Sequence, residues 1–151
     1  MKTFKILLLI LISCCFTTCD KSNIEQLKID FTSGTGIQFG TGSVQGRTFE
    51  TEMLYKNFNK KHYRDCKSII FVANLICSSG KKGYLELYDN TDSVIIANSI
   101  LTANSTYWTW KESENLINDF PDKDIDLTLK LRSESESYTV SFNSASLYIN
   151  F

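Results

Sequence analysis

Ile125-Asp126-Leu127-Thr128-Leu129-Lys130-Leu131-Arg132 alternates apolar and polar side chains without a break up to Ser133. Successive side chains of a β-strand point to opposite faces, so Ile125, Leu127, Leu129 and Leu131 share one face while Asp126, Thr128, Lys130 and Arg132 share the other. A helical period would scatter the same residues around its circumference. Residues 125–132 are therefore predicted to be a strand with one face on a core and one in solvent.

Outward from this stretch the period of two persists. Toward the C-terminus, Ser133-Glu134-Ser135-Glu136-Ser137 separates it from a second predicted strand, 138–149, which faces it across that polar turn. Toward the N-terminus, residues 112–124 form an irregular connection with a helical turn at Glu114-Asn115-Leu116-Ile117 ahead of Pro121. Further strands are predicted at 106–111, 94–97 and 84–88, separated by Asp89-Asn90-Thr91-Asp92 and Ser79-Gly80-Lys81-Lys82-Gly83. Residues 68–78 carry apolar side chains on both faces, Ile69, Phe71, Ala73, Leu75 and Cys77 on one and Ile70, Val72 and Ile76 on the other. That places this strand centrally in its sheet. Residues 56–64 read as a polar loop after an alternating stretch at 49–55. Leu27, Ile29 and Phe31 begin the pattern, and Ile37-Gln38-Phe39 stands among glycine-rich turns. No amphipathic helix of ordinary length appears in 26–151, and short strands separated by turns predict an all-β fold, a single antiparallel β-sandwich.

The N-terminus reads differently. Met1-Lys2-Thr3-Phe4-Lys5 is basic, and Ile6-Leu7-Leu8-Leu9-Ile10-Leu11-Ile12 is an unbroken apolar run too short to span a bilayer, which needs about 20 residues. The run ends in Ser13-Cys14-Cys15-Phe16-Thr17-Thr18-Cys19-Asp20-Lys21. This segment resembles bacterial lipoprotein signal peptides, whose small residues precede a cysteine that becomes a thioether to diacylglycerol. Leu11-Ile12-Ser13-Cys14 matches the pattern closely but leaves a short signal. Cys19, with the charged pair Asp20-Lys21 directly after it, is the preferred lipidation site and Cys14 the alternative; a plain secretory signal is the bland reading. The predicted organisation is a signal at 1–18, a lipidated cysteine and tether at 19–25, and the sandwich at 26–151. A diacylglyceryl group brings two chains at once, which suffices for stable anchoring. The expected location is a bacterial envelope, the outer membrane in a Gram-negative cell.

Of 16 basic residues two, Lys2 and Lys5, lie in the signal, leaving 14 against 17 acidic ones. That balance offers no basic face to nucleic acid. The short run Lys56-Asn57-Phe58-Asn59-Lys60-Lys61-His62-Tyr63-Arg64 reads as a solvated loop. Cys66 and Cys77 flank one extended strand, too far apart and on opposite faces for a disulfide.

Residues 83–149 resemble the jelly-roll, galactose-binding-like and carbohydrate-binding modules of bacterial extracellular proteins. The likeness rests on Leu85-Glu86-Leu87-Tyr88-Asp89-Asn90-Thr91-Asp92, on the 125–133 strand and on the closing Ala145-Ser146-Leu147-Tyr148-Ile149. It implies a β-sandwich that binds a sugar or calcium. Calcium candidates are Asp89 and Asp92 in one loop and Asp122 and Asp124 in the other, since a hard cation takes several oxygen ligands. Asx-rich turns also arise from side chains bonding their own backbone, without a metal.

His62 is the single histidine and lies in a polar, lysine-rich run, so a Ser-His-Asp or Cys-His site would have to be built on it and a surface histidine is the simpler reading; no zinc spacing or phosphate-binding glycine loop occurs. Tyr107-Trp108-Thr109-Trp110 is the conspicuous cluster. On a strand Trp108 and Trp110 share a face, leaving Tyr107 and Thr109 on the other; the tryptophans stand either in the core or as a platform on which a sugar ring stacks, with Asn104, Ser105 and Lys111 at its rim and Tyr107 counted among the ligand-binding candidates. The leading expectation is a non-catalytic lipoprotein that binds a glycan or another envelope component. The alternatives are an assembly subunit of an envelope complex and a small hydrolase using paired carboxylates.

Overall fold

The computed structural model describes residues 25–31, 38–41, 47–48, 54–78, 81–134 and 139–151. Cys14, Cys19 and the rest of the predicted signal lie outside the described residues, as does most of the alternating stretch at 49–55. The strands are β1 Gln26–Asp30, β2 Gln38–Thr41, β3 Arg47–Thr48, β4 Tyr55–Phe58, β5 Ser68–Cys77, β6 Gly83–Asp89, β7 Val94–Ile95, β8 Leu101–Ala103, β9 Thr109–Glu112, β10 Ile125–Ser133 and β11 Thr139–Asn150.

They form the predicted sandwich. In one sheet β11 pairs with β5 on one side and with β1 and β2 on the other, and β5 pairs outward with β9. In the second sheet β10 pairs with β6 on one side and with β3 and β4 on the other, and β6 carries β7 and β8. Every pairing is antiparallel, and β10 and β11 face each other from opposite sheets. The central position predicted for 68–77 is correct, because β5 lies between β11 and β9.

The alternation seen in the sequence becomes the core. Ile69, Phe71, Ala73, Leu75 and Cys77 of β5 pack with Val140, Phe142, Ala145, Leu147 and Ile149 of β11. Across the interface lie Leu85 and Leu87 of β6 and Ile125, Leu127, Leu129 and Leu131 of β10. Along β11 the apolar set slips by one residue between Phe142 and Ala145. A bulge between Phe142 and Ser144 absorbs the slip and returns both halves to the core. Gly83 opens β6 hard against β11: a β-carbon there would come within 2.7 Å of Val140 Cβ. Gly83→Ala is expected to lower stability by about 1–3 kcal/mol through this overlap. A denaturant midpoint within error of wild type would show that β11 yields freely at Val140.

The 56–64 stretch is not the solvated loop expected. β4 continues to Phe58, which is fully buried and packs on Phe120 at 4.7 Å between ring centroids and on Tyr63 at 5.8 Å. A 3₁₀ turn, Lys60–His62, follows, capped by the Asn59 side chain, which accepts from the Lys61 N–H at 2.9 Å. Its cations are committed internally. Lys60 and Lys61 each reach Asp122 at 3.1 Å, and Lys60 also donates to the Ile117 carbonyl. β9 is shorter than the predicted 106–111 strand and begins at Thr109, while β8, three residues long, has no counterpart among the expected strands. Cys66 and Cys77 are both free, Cys77 buried at the end of β5, and burial pushes the half-buried Cys66 thiol up.

Candidate ligand-binding face

Each sheet has an outer face, and the two differ in how their aromatic rings are used. On the β10–β6 sheet, Tyr84, Glu86 and Tyr88 stand beside Lys130 and Arg132, outward in the strand alternation. Lys130 Nζ lies 3.3 Å from the centroid of Tyr88, and the Arg132 guanidinium lies 4.0 Å from that of Tyr84. Arg132 also pairs with the buried Glu86, through Nε at 2.8 Å and an NH2 nitrogen at 2.6 Å. This face is closed by its own side chains.

The other sheet is different at its β9 edge. β9 sets Asn74 opposite Trp110 and Val72 opposite Glu112, whereas Ala73 and Leu75 of the core face oppose Lys111 and Thr109. Directly paired residues share a face, so Trp110 and Glu112 point away from the core. Trp110 is 61% exposed, Trp108 39% and Tyr107 79%. Of the two positions left open by the sequence, core or surface, the structure places both tryptophans at the surface.

The chain just before β9 is tied to β5 by one backbone hydrogen bond and to itself by two hydroxyls. The Ser105 carbonyl accepts from the Cys77 N–H at 2.8 Å, its hydroxyl accepts from the Tyr107 N–H at 3.0 Å, and Thr109 Oγ1 donates to the Tyr107 carbonyl. The aromatic run is therefore presented on a fixed edge. Ser105 is occupied by these bonds, Asn104 is exposed beside it, and Lys111 stands on the face opposite Trp110. Lys111 thus belongs to a different surface from the rim expected of it. Trp108 precedes the strand, so strand alternation does not fix its direction.

Asn74 is the residue that sequence reasoning passed over. It sits mid-strand among Val72, Ala73, Leu75 and Ile76, and its Oδ1 is enclosed without a hydrogen-bond partner. Asn is depleted from strand interiors, and that mismatch was the available signal. At the C-terminal end of β9, residues Asn98, Ile100, Glu112, Ser113 and Glu114 line an open cleft of about 480 Å³.

The calcium candidates are engaged separately. Asp89 Oδ1 accepts from the Thr91 and Asp92 N–H groups, the Asx geometry, while Lys123 holds Asp92. Asp122 takes Lys60 and Lys61, whose hydrogen bonds hold its carboxyl below the ordinary range, and Asp124 takes Asn59 at 2.8 Å and His62 at 3.7 Å. Among the described residues no three His, Cys, Asp or Glu side chains are placed to hold a metal together.

No protein-family model matches the chain, and no curated protein matches it. Among solved structures it is similar to the CBM36-1 domain of a multidomain xylanase from the hindgut metagenome of Trinervitermes trinervoides, at 8% identity and TM-score 0.48, over 83% of this chain and 97% of that one. It is also similar to the xylan-binding module CBM15, at 8% identity and TM-score 0.45, over 82% and 97% of the two chains. A family two carbohydrate esterase from Cellvibrio japonicus aligns at 14% identity and TM-score 0.32, over 83% of this chain and 34% of that one.

Proposed function

We propose that the chain is a non-catalytic, envelope-anchored lipoprotein whose sandwich binds a glycan on the β9 edge. One observation carries the reading. Tyr84 and Tyr88 are covered by the chain's own cations, and Tyr55 and Tyr63 share a hydrogen bond at 3.3 Å, whereas Tyr107, Trp108 and Trp110 stand exposed on that hydrogen-bonded edge. An indole face is flat and apolar, and a sugar ring offers a matching C–H face with hydroxyls around it. Stacking removes water from both while the hydroxyls stay at a polar rim.

Trp110→Ala is expected to leave the unfolding free energy within about 0.5 kcal/mol of wild type, as surface substitutions usually do. The same change should weaken glycan binding by roughly 5- to 150-fold, the loss of about 1–3 kcal/mol that a flat ring such as a nucleic-acid base gains by stacking on an aromatic side chain. Full-length protein in detergent, applied to a glycan array and then titrated calorimetrically, measures both. Binding unchanged in the folded variant would remove Trp110 from the site.

The anchor rests on the apolar run ending in cysteines at 14, 15 and 19. Metabolic labelling with a fatty acid should mark the wild type and not Cys19→Ala. Label that persists there and vanishes in Cys14→Ala moves the anchor to Cys14, and label retained in both single variants defeats the anchor at either position.

A second reading, an assembly subunit, is favoured by Val94, Ile95 and Ile100, exposed at 49%, 43% and 46% around β7 and the chain after it. Sedimentation of the full-length protein distinguishes it. Self-association abolished by Ile95→Lys supports that reading.

A further inference from the structure

On the outer face of the β11–β5–β9 sheet, Trp110, Asn74 and Ser144 form one cross-strand row. At a strand spacing of about 4.8 Å the row is roughly 10 Å long. Its centre is anomalous. The rest of β5's outer face near it is Ile70, Val72 and Ile76, yet Asn74 stands in that apolar line with an enclosed, unpartnered Oδ1. An unsatisfied acceptor costs the protein its desolvation, and nothing in the fold returns it. Asn74 is half-buried while its oxygen is enclosed, so a ligand hydroxyl reaching that oxygen has to induce the half-turn that exchanges amide oxygen and nitrogen about χ2, a broad torsion for Asn.

The next row along the same face is Asp30, Ser146, Val72 and Glu112. Asp30 is neutralised by Lys28 at 2.7 Å and accepts from Ser146 Oγ at 2.6 Å. Glu112 has no ion-pair partner among the described residues and adjoins Glu114 in the cleft lining. On this outer face the unpaired charge bordering the Trp110 row is therefore that of Glu112, while Lys111, which also has no ion-pair partner among the described residues, stands on the other face of β9.

Resting on the glycan reading, we infer that Asn74 is the specificity-determining group of this face and that the ligand is an uncharged glycan. A ring stacked on Trp110 donates a hydroxyl to Asn74 Oδ1, and Glu112 disfavours sugars that carry a carboxylate. A neutral hydrogen bond of ordinary strength corresponds to about 3- to 10-fold in affinity. Two unit charges about 4 Å apart in water correspond to about fivefold.

The test uses the full-length protein in detergent with cello-, xylo- and manno-oligosaccharides and with oligoglucuronate, oligogalacturonate and oligomannuronate. A neutral member is expected to bind more tightly than any uronate. Asn74→Ala should lower that affinity about 3- to 10-fold while its thermal midpoint stays level or rises, which a structural asparagine would not do. Glu112→Gln should raise uronate binding about fivefold. A uronate bound as tightly as the best neutral sugar, an unchanged affinity in Asn74→Ala, or a lowered midpoint in that variant overturns the inference and leaves the glycan reading standing if Trp110→Ala still weakens binding. No binding by any member, or binding indifferent to Trp110→Ala, overturns both.

Discussion

Phe58→Ala is expected to lower the unfolding free energy by about 3–5 kcal/mol, the cost of removing a fully buried phenyl ring from a site that cannot collapse around the gap. For a domain with the usual 5–15 kcal/mol in hand this is a large fraction of the whole. The ring is 1% exposed and is enclosed by Tyr55, Tyr63 and Phe120. Those side chains come from β4, from the end of the Lys60–His62 turn and from the 112–124 connection, so Phe58 ties three segments to the sandwich. Phe58→Leu keeps most of the volume and should lose much less. Urea unfolding of both variants checks this, with m expected to stay constant while the midpoint moves. A change in Phe58→Ala below about 1 kcal/mol would return 56–64 to the solvated loop that its composition suggests.

That contrast shows what a sequence can and cannot carry here. Phe58 stands between Asn57 and Asn59, with lysines at 56, 60 and 61, and a single apolar residue in a polar run has no period to read. The same run looked basic in isolation because its partner Asp122 lies some sixty positions away. β10 was legible because four leucine or isoleucine side chains recur at every second position, and a one-residue register error would turn all of them to solvent. β5 was legible as central because both faces are apolar. The 138–149 strand was legible as a strand, but only the pairing of β11 with β5 shows that a bulge between Phe142 and Ser144 keeps both its halves on the core.

The candidate site was half legible for a related reason. Alternation puts residues on a common face without saying which face meets the core, so only the register of β9 against β5 turns Trp110 outward, and Trp108, ahead of the strand, is placed by its exposure alone. The Asn74–Trp110 pair joins positions 36 apart and cannot be read from either strand alone. The orphaned oxygen is likewise a property of packing, although an asparagine inside an otherwise apolar strand is a signal that sequence does contain.

Arg132→Met is expected to destabilise the protein by about 3–5 kcal/mol, because it leaves the Glu86 carboxylate, 1% exposed, without the guanidinium that now donates to it twice. Methionine keeps an apolar stem against Tyr84, so the loss reports the uncompensated charge more than lost packing. The double variant Glu86→Leu with Arg132→Met should recover most of the deficit, since apolar replacement of a buried ion pair is often neutral or stabilising. Lys130 stands opposite Glu86 in the register but lies over the Tyr88 ring, and to compensate it would have to leave that ring. Chemical denaturation of wild type, both single variants and the double variant closes a thermodynamic cycle. Recovery in the double variant would show that the pair closes this face without being needed for the fold. A double variant as unstable as Arg132→Met would mean that the arginine acts mainly through Tyr84. A further expectation concerns the opposite sheet: because the Trp110 row shares no side chain with this network, glycan affinity should be the same in every variant that remains folded.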